Sequence, residues 1–117
     1  MGDIDTFKQR LREFAAARNW DQFHSPKNLS MALIAEAAEL VEHFQWSTQE
    51  ESRELEPEKL AEVQMELADI MIYLIRLADT LDINLLQAIE EKIEINEKKY
   101  PVEKVHGSSK KYTEYEE

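Results

Sequence analysis

The stretch that decides the fold reads MELADIMIYLI, residues 65–75. Its two charged residues, Glu66 and Asp69, lie three positions apart, so a helix would place both on one face. The remaining residues are apolar on nearly every side, which predicts a helix covered by several neighbours. Ionised carboxylates at the edge of such a core are costly unless they are paired or bind a metal.

A second acidic pair has the same spacing. The stretch AEAAE, residues 35–39, carries Glu36 and Glu39 between small residues. If the two pairs face each other, four carboxylates surround one point and form an oxygen cage for a hard divalent cation. The alternative is that all four face water, and the apolar surroundings of Glu66 and Asp69 argue against it. Without a His or Cys ligand, the cage suits Mg²⁺ or Mn²⁺ rather than structural zinc.

Composition bounds the class of protein. The chain has 117 residues, 43% hydrophobic and 33% charged, enough for one globular domain with a modest core. With 2 Gly, 3 Pro and many strong helix formers, it favours an all-α fold. The lack of cysteine excludes disulfides and a cysteine nucleophile. The net charge of −11 argues against binding a nucleic-acid polymer, whereas a bound cation would still admit a free nucleotide.

Apolar periodicity predicts a bundle of four helices, at about 3–18, 26–45, 57–80 and 85–99. Arg12 falls on a solvated face of the first helix. Residues 47–56 are polar and predict a mobile connection. We expect one domain over residues 1–101 and a tail over 102–117 whose composition predicts disorder. With no secretory leader and no apolar run of about 18 residues, we expect neither secretion nor a membrane span, and a cytoplasmic location.

Two further groups of residues suit a nucleotide, which needs cationic donors for phosphates and a flat partner for the base. The first group lies on one face of the last helix or at its edge, where the alternative is an ordinary solvated face: Lys92, Asn96, Lys99 and Tyr100. The second group is aromatic: Trp20, Trp46 and Tyr73. Trp20 shares a loop with Phe23 and His24, and the alternative there is that these side chains cover the end of the bundle. Neither a Walker pattern nor a Gly-rich phosphate loop is present.

Taken in order, these motifs resemble those of a known family, the all-α, MazG-like nucleoside triphosphate pyrophosphohydrolases, and look closest to their dCTP pyrophosphatase branch. The resemblance covers nearly the whole chain from Phe14 on. It rests on WDQFH (20–24), PKNL (26–29), EAAEL (36–40), FQW (44–46), ELADI (66–70) with YL (73–74), Lys92, Asn96, KYP (99–101) and GSSKKY (107–112).

The resemblance implies specific roles for residues of this chain. It implies Mg²⁺ ligation and catalysis by Glu36, Glu39, Glu66 and Asp69. It implies phosphate contacts from Lys92, Asn96, Lys99 and Tyr100, with Lys111 and Tyr112 of the tail folding over the bound phosphates. It implies a base pocket of Trp20, Trp46 and Tyr73. This sequence departs from the family pattern at Ala35, where many members have an acid, and at Leu11, where members of the dCTP branch can have a histidine.

We therefore expect Mg²⁺-dependent hydrolysis of a nucleoside triphosphate, dCTP or a related pyrimidine, to the monophosphate and pyrophosphate, as nucleotide-pool housekeeping. Mn²⁺ is the alternative metal, and a carboxylate of the Glu36/Glu39 pair is the expected general base. The rival interpretations are a non-catalytic helical interaction or regulatory module, and the same chemistry on a non-pyrimidine triphosphate. The apolar third long helix predicts a homotetramer, with a dimer as the alternative.

Overall fold

The computed structural model describes residues 3–107, and every regular element in that range is a helix. In chain order they are α1 (Ile4–Ala17), a 3₁₀ helix (Asp21–Phe23), α2 (Pro26–Glu42), α3 (Gln49–Arg53), α4 (Pro57–Thr80), α5 (Leu85–Lys99) and α6 (Val102–Val105). The all-α prediction is confirmed. The chain divides into two units between Ile83 and Asn84. None of these helices has the length and apolar character needed to cross a membrane.

Short-range signals set the beginnings of the four long helices. The side chains of Asp3, Ser25 and Asn84 each accept a hydrogen bond from the backbone N–H three residues further on, at 2.8–3.1 Å. These bonds satisfy donors that the first helical turn leaves unpaired. Pro26 and Pro57 occupy the first helical turn, where a missing N–H costs nothing. The predicted bounds of α4 and α5 are therefore confirmed.

In the first unit, α4 packs along α2 and against α1. The apolar side chains buried in this packing are Ala15, Leu29, Val63, Ile75 and Ala78. The two helices α1 and α2 do not cover α4 on all sides, so Leu67, Met71 and Ile72 each stay at least 41% exposed. The expectation that several neighbours cover this helix is thus not met by residues 3–107 of one chain.

Three expectations about irregular segments were wrong. Helix α2 ends at Glu42 rather than near 45, because the N–H groups of His43 and Phe44 donate to carbonyls only three residues back, which tightens the turn. Residues 47–56 contain α3, which begins with a complete capping box between Thr48 and Glu51. Residues 102–105 are helical rather than disordered. Lys111 and Tyr112 lie outside the described residues.

Candidate functional site

Three of the four predicted carboxylates meet where α2 packs on α4. Glu36 and Glu39 come from α2 and Glu66 from α4, and one ligand oxygen of each lies within 4.8 Å of the others. We call these residues the acidic cluster. Because i and i+3 positions share a helical face, the spacing brings both residues of α2 to the same side. The contact between the two helices then brings Glu66 to them.

The acidic cluster has unsatisfied acceptors. Glu36 Oε2 and Glu66 Oε1 are buried, and no described residue gives either of them a hydrogen bond. A hydrogen bond shared first with Glu39 and then with Glu36 favours protonated Glu66 and, with burial, raises the pKa of Glu66 to about 8. Hydrogen bonding with Glu66 and then with Glu36 lowers the pKa of Glu39. Both pKa shifts arise because three carboxylates lie close together.

This chemistry fits a hard divalent cation. All three donors are carboxylates, the ligand type that Mg²⁺ and Mn²⁺ prefer. A cation would satisfy the two buried oxygens and would favour the ionised form of Glu66. An ordinary solvated face would leave no buried acceptor without a partner, so the burial of these two oxygens argues against that alternative.

Asp69, the fourth predicted ligand, lies outside the acidic cluster. It is exposed and contributes to the wall of a neighbouring cavity of about 400 Å³ in the first unit. The other residues of that wall are Leu11, Phe14, Ala15, Trp20, His24, Ile72, Tyr73 and Arg76. Ligand pockets are commonly apolar clefts of about this size with a few polar groups. Asp69 follows Glu66 by one helical turn, so the cavity lies close to the acidic cluster.

Two of the three predicted base-pocket residues line this cavity. Trp20 and Tyr73 form part of its wall, and the Trp20 ring packs edge-on against Phe14 with centroids 5.7 Å apart. Trp46 does not belong to the lining, and 89% of its surface is exposed. The interpretation of Trp20 and His24 as mere cover for the helix ends is incomplete, because both border an open cavity.

An arginine network at the cavity was not anticipated. Arg76 is only 8% exposed; its Nη2 donates to Asp21 Oδ1 at 2.5 Å and its Nε donates to His24 Nδ1 at 3.2 Å. On its other side, Arg76 Nη1 lies 3.7 Å from Asp79 Oδ2. Arg12, expected on a solvated face, binds both carboxylate oxygens of Asp79, at 2.7 and 2.5 Å. The available signal was an arginine within an apolar helix, which is seldom buried without partners.

The predicted phosphate contacts belong to the second unit. Lys92 and Asn96 are exposed on α5, Lys99 is its last residue and Tyr100 follows directly. The Tyr100 N–H donates to the Asn96 carbonyl at 2.9 Å, which ends the helix. The spacing of Lys92, Asn96 and Lys99 places them on one side of α5.

Comparison with known proteins agrees with this all-helical fold. The family model described as MazG-like family matches residues 32–115. The chain is 45% identical to the human (Homo sapiens) dCTP pyrophosphatase 1 over 113 residues, which are 95% of this chain and 66% of the human protein. It is 46% identical to dCTP pyrophosphatase 1 of Bos taurus, covering 95% of this chain and 67% of that protein.

A solved structure also matches. A pyrophosphatase from Archaeoglobus fulgidus is 44% identical, with a TM-score of 0.76, over 80% of this chain and 87% of that one. The chain spans about two thirds of the length of the curated relatives. Fold and site thus define an all-helical protein with a carboxylate cluster between two packed helices. The chain belongs to the MazG-like family.

Proposed function

We propose that this protein hydrolyses a nucleoside triphosphate, dCTP or a closely related pyrimidine, to the monophosphate and pyrophosphate, with Mg²⁺ as cofactor. The acidic cluster carries the proposal, because its two buried oxygens lack partners and its donors suit a hard cation. The names of the relatives, dCTP pyrophosphatase 1, support the reaction and the base. The role in the cell would be removal of an unwanted nucleotide from the pool.

Different residues are proposed to bind the metal with the phosphates and to bind the base. Glu36, Glu39 and Glu66 would hold Mg²⁺, with Asp69 completing the set from its position one turn further along α4. The bound ion would supply charge neutralisation for the phosphates and a more acidic water. A carboxylate of the Glu36/Glu39 pair is the proposed general base and would take a proton from the water that attacks the triphosphate.

The cavity is the proposed base site. Its volume of about 400 Å³ suits one aromatic ring, and Trp20 and Tyr73 offer flat partners. Lys92, Asn96, Lys99 and Tyr100 remain proposed phosphate contacts. Lys111 and Tyr112 are proposed to close over the phosphates, with residues 1–101 as the hydrolase domain and 102–117 as its tail.

We also propose a cytoplasmic homotetramer, with a dimer as the alternative. Many large apolar residues of α1, α2 and α4 are exposed in a single chain, and soluble monomers rarely leave such extensive apolar surface uncovered. In an assembly, exposed Trp46 would line a site on a second copy. Light scattering at micromolar concentration should give the mass of four chains. A monomeric mass with full activity would contradict both the assembly and the shared site.

The test of function is a panel of nucleoside triphosphates with Mg²⁺, with pyrophosphate release as the readout. Glu39→Gln and Asp69→Asn should abolish turnover while helix content is retained, since an amide is nearly isosteric but lacks the charge that holds the cation. Glu42→Gln, an exposed change three residues beyond Glu39 on α2, is the matched control and should remain active. Calorimetric titration with Mg²⁺ completes the design. If the protein shows no turnover and does not bind Mg²⁺, the results will favour the alternative of a non-catalytic interaction module.

A further inference from the structure

A basic pair lies next to the acidic cluster, where α2 still contacts α4. On α2, His43 follows Glu39 by four residues, and on α4, Lys59 precedes Glu66 by seven, so each shares a helical face with a carboxylate of the cluster. His43 is the C-cap of α2 and keeps helical backbone angles. Lys59 Nζ lies 3.3 Å from His43 Nδ1. His43 and Lys59 therefore connect the same two helices beyond the carboxylates.

The half-buried ammonium of Lys59 has no carboxylate partner among residues 3–107. An ammonium has three N–H donors and no acceptor, so His43 Nδ1 accepts one of them and the others are unused. Glu62 comes near the pair, but its Oε2 lies 3.7 Å from His43 Nδ1, beyond hydrogen-bond distance, on a side chain that is 62% exposed. In a chain with a net charge of −11, a cation without a carboxylate partner suits an anion from outside the chain.

The stability of α4 does not explain this lysine. Lys59 belongs to the first turn of α4, where the helix dipole favours acidic side chains over basic ones. The hydrogen bond to His43 also restricts a flexible side chain, which has a cost in conformational entropy. The same bond holds the ammonium at the contact between α2 and α4, so its position is fixed before any ligand arrives.

The pair and the cavity lie on opposite sides of the acidic cluster. Along α4, the order runs from Tyr73 of the cavity wall through Glu66 to Lys59. At 1.5 Å per residue, Lys59 lies about 10 Å from Glu66 along the helix axis. A base in the cavity and a cation at the cluster would direct the outer phosphates of a triphosphate toward Lys59. We propose that Lys59 is a specificity-determining residue that binds the γ-phosphate, with His43 as its positioning residue.

This inference rests on the proposed function for its ligand and adds a statement about the length of the phosphate chain. An ammonium donates strong, charge-assisted hydrogen bonds to phosphate. A nucleoside diphosphate keeps the base and metal contacts but lacks the group that Lys59 binds, so the triphosphate is preferred. Neither His43 nor Lys59 belongs to the motifs on which the family resemblance rests.

Lys59→Met tests the contact, because Met keeps the length and the helix propensity of the side chain but not its charge. Calorimetry with Mg²⁺ compares the α,β-methylene analogues of dCTP and dCDP, whose bridge between the α- and β-phosphates is not hydrolysed. We expect Lys59→Met to bind the triphosphate analogue about tenfold more weakly, as for loss of a hydrogen bond to a charged group, and the diphosphate analogue as wild type does. Equal weakening of both analogues, or no change in either, would overturn the proposal.

Three further variants serve as controls. Lys59→Arg keeps the charge and should retain part of the preference for the triphosphate analogue. Arg53→Met removes an exposed positive charge six positions earlier, on α3, where the guanidinium lies 3.5 Å from Gln49 Oε1, and should bind both analogues as wild type does. Circular dichroism establishes that each variant is folded. Loss of the preference in Arg53→Met as well would mean that net charge alone matters, and the proposal would fail.

The positioning role of His43 has its own readout. His43→Leu removes the acceptor, so it should weaken binding of the triphosphate analogue, though less than Lys59→Met does. His43→Asn offers an amide oxygen near the position of Nδ1 and should recover binding. If the pair only holds α2 against α4, these variants will lower the melting temperature without changing the ratio of the two affinities, and the proposal is refuted.

Turnover separates this inference from the proposed function. In Lys59→Met, kcat/KM for dCTP should fall mainly through a higher KM. Normal hydrolysis of dCTP with an unchanged KM in this variant would refute the inference and leave the function intact. A protein whose preference for the triphosphate analogue depends on Lys59, but which releases pyrophosphate from no triphosphate, would refute the proposed function alone.

Discussion

The substitution Arg12→Met tests the ion-pair network from its outer end. The Arg12 side chain is 50% exposed, whereas that of Asp79 is only 8% exposed. An exposed ion pair contributes about 0–1 kcal/mol, while removal of one partner from a buried pair costs about 3–5 kcal/mol. This pair lies between the two cases, because Asp79 keeps Arg76 at 3.7 Å after Arg12 is lost. We therefore expect the free energy of unfolding to fall by about 2 kcal/mol.

Urea unfolding followed by circular dichroism at one fixed protein concentration measures this loss. For a domain of about 100 residues it corresponds to a melting temperature lower by roughly 10 °C. Asp5→Asn is the matched control on the same helix: it breaks the pair of Lys8 with Asp5, whose side chain is 88% exposed, and should cost less than about 1 kcal/mol. A loss below about 0.5 kcal/mol in Arg12→Met would refute the reasoning.

The same pair has a pH signature. Hydrogen bonds from Arg12 lower the pKa of Asp79 below its ordinary value of 3.8. A carboxyl group with a lowered pKa contributes stability above its unfolded pKa and loses it as the pH falls through its folded pKa. The difference in stability between wild type and Arg12→Met should therefore shrink as the pH falls below about 4. A difference that stays constant to strongly acid pH would contradict the assignment.

Two further predictions concern the aromatic and histidine residues. Trp46→Ala should weaken nucleotide binding more than it slows saturated turnover, because stacking acts on ground and transition states alike; an unchanged KM would exclude Trp46 from the site. Because the pKa of His24 is lowered in the folded chain, the unfolded chain binds a proton on this residue at a higher pH than the folded chain does. His24 therefore makes the free energy of unfolding rise with pH in the window just below 6.5. Glu66, whose pKa is raised, makes the free energy of unfolding fall with pH in the same window. Unfolding curves of wild type and His24→Asn across that window isolate the histidine contribution, and identical slopes would contradict it.

Sequence alone predicted the beginnings of the long helices because their signals are local. Ser25 with Pro26, and Asn84, each act within one helical turn. The capping box of α3 was equally local, since Thr48 and Glu51 have the required spacing. It was missed because five helical residues give no apolar periodicity, and a polar segment then resembles a loop.

The candidate site was predicted in part for a geometric reason. Residues three apart on an α-helix differ in direction by about 60°. An i, i+3 pair can therefore share a face without pointing at one spot. Glu66 points toward the carboxylates of α2, whereas Asp69 reaches the wall of the cavity. The spacing predicted which residues could meet, and only the packing of α4 on α2 decided which of them do.

The charged residues of α4 also show why the remainder of the site was not foreseen. Arg76 stands in an apolar helix, so a partner was required, but its partner Asp21 lies 55 positions away and no periodic pattern links the two. Glu66 lies about 15 Å along the helix axis from Arg76, at 1.5 Å per residue. The acidic end of α4 suits a cation with its phosphates, and the end that carries Arg76 and its partner His24 suits an uncharged base. One helix thus orders the proposed substrate along its length, with Asp69 and Tyr73 between the two ends.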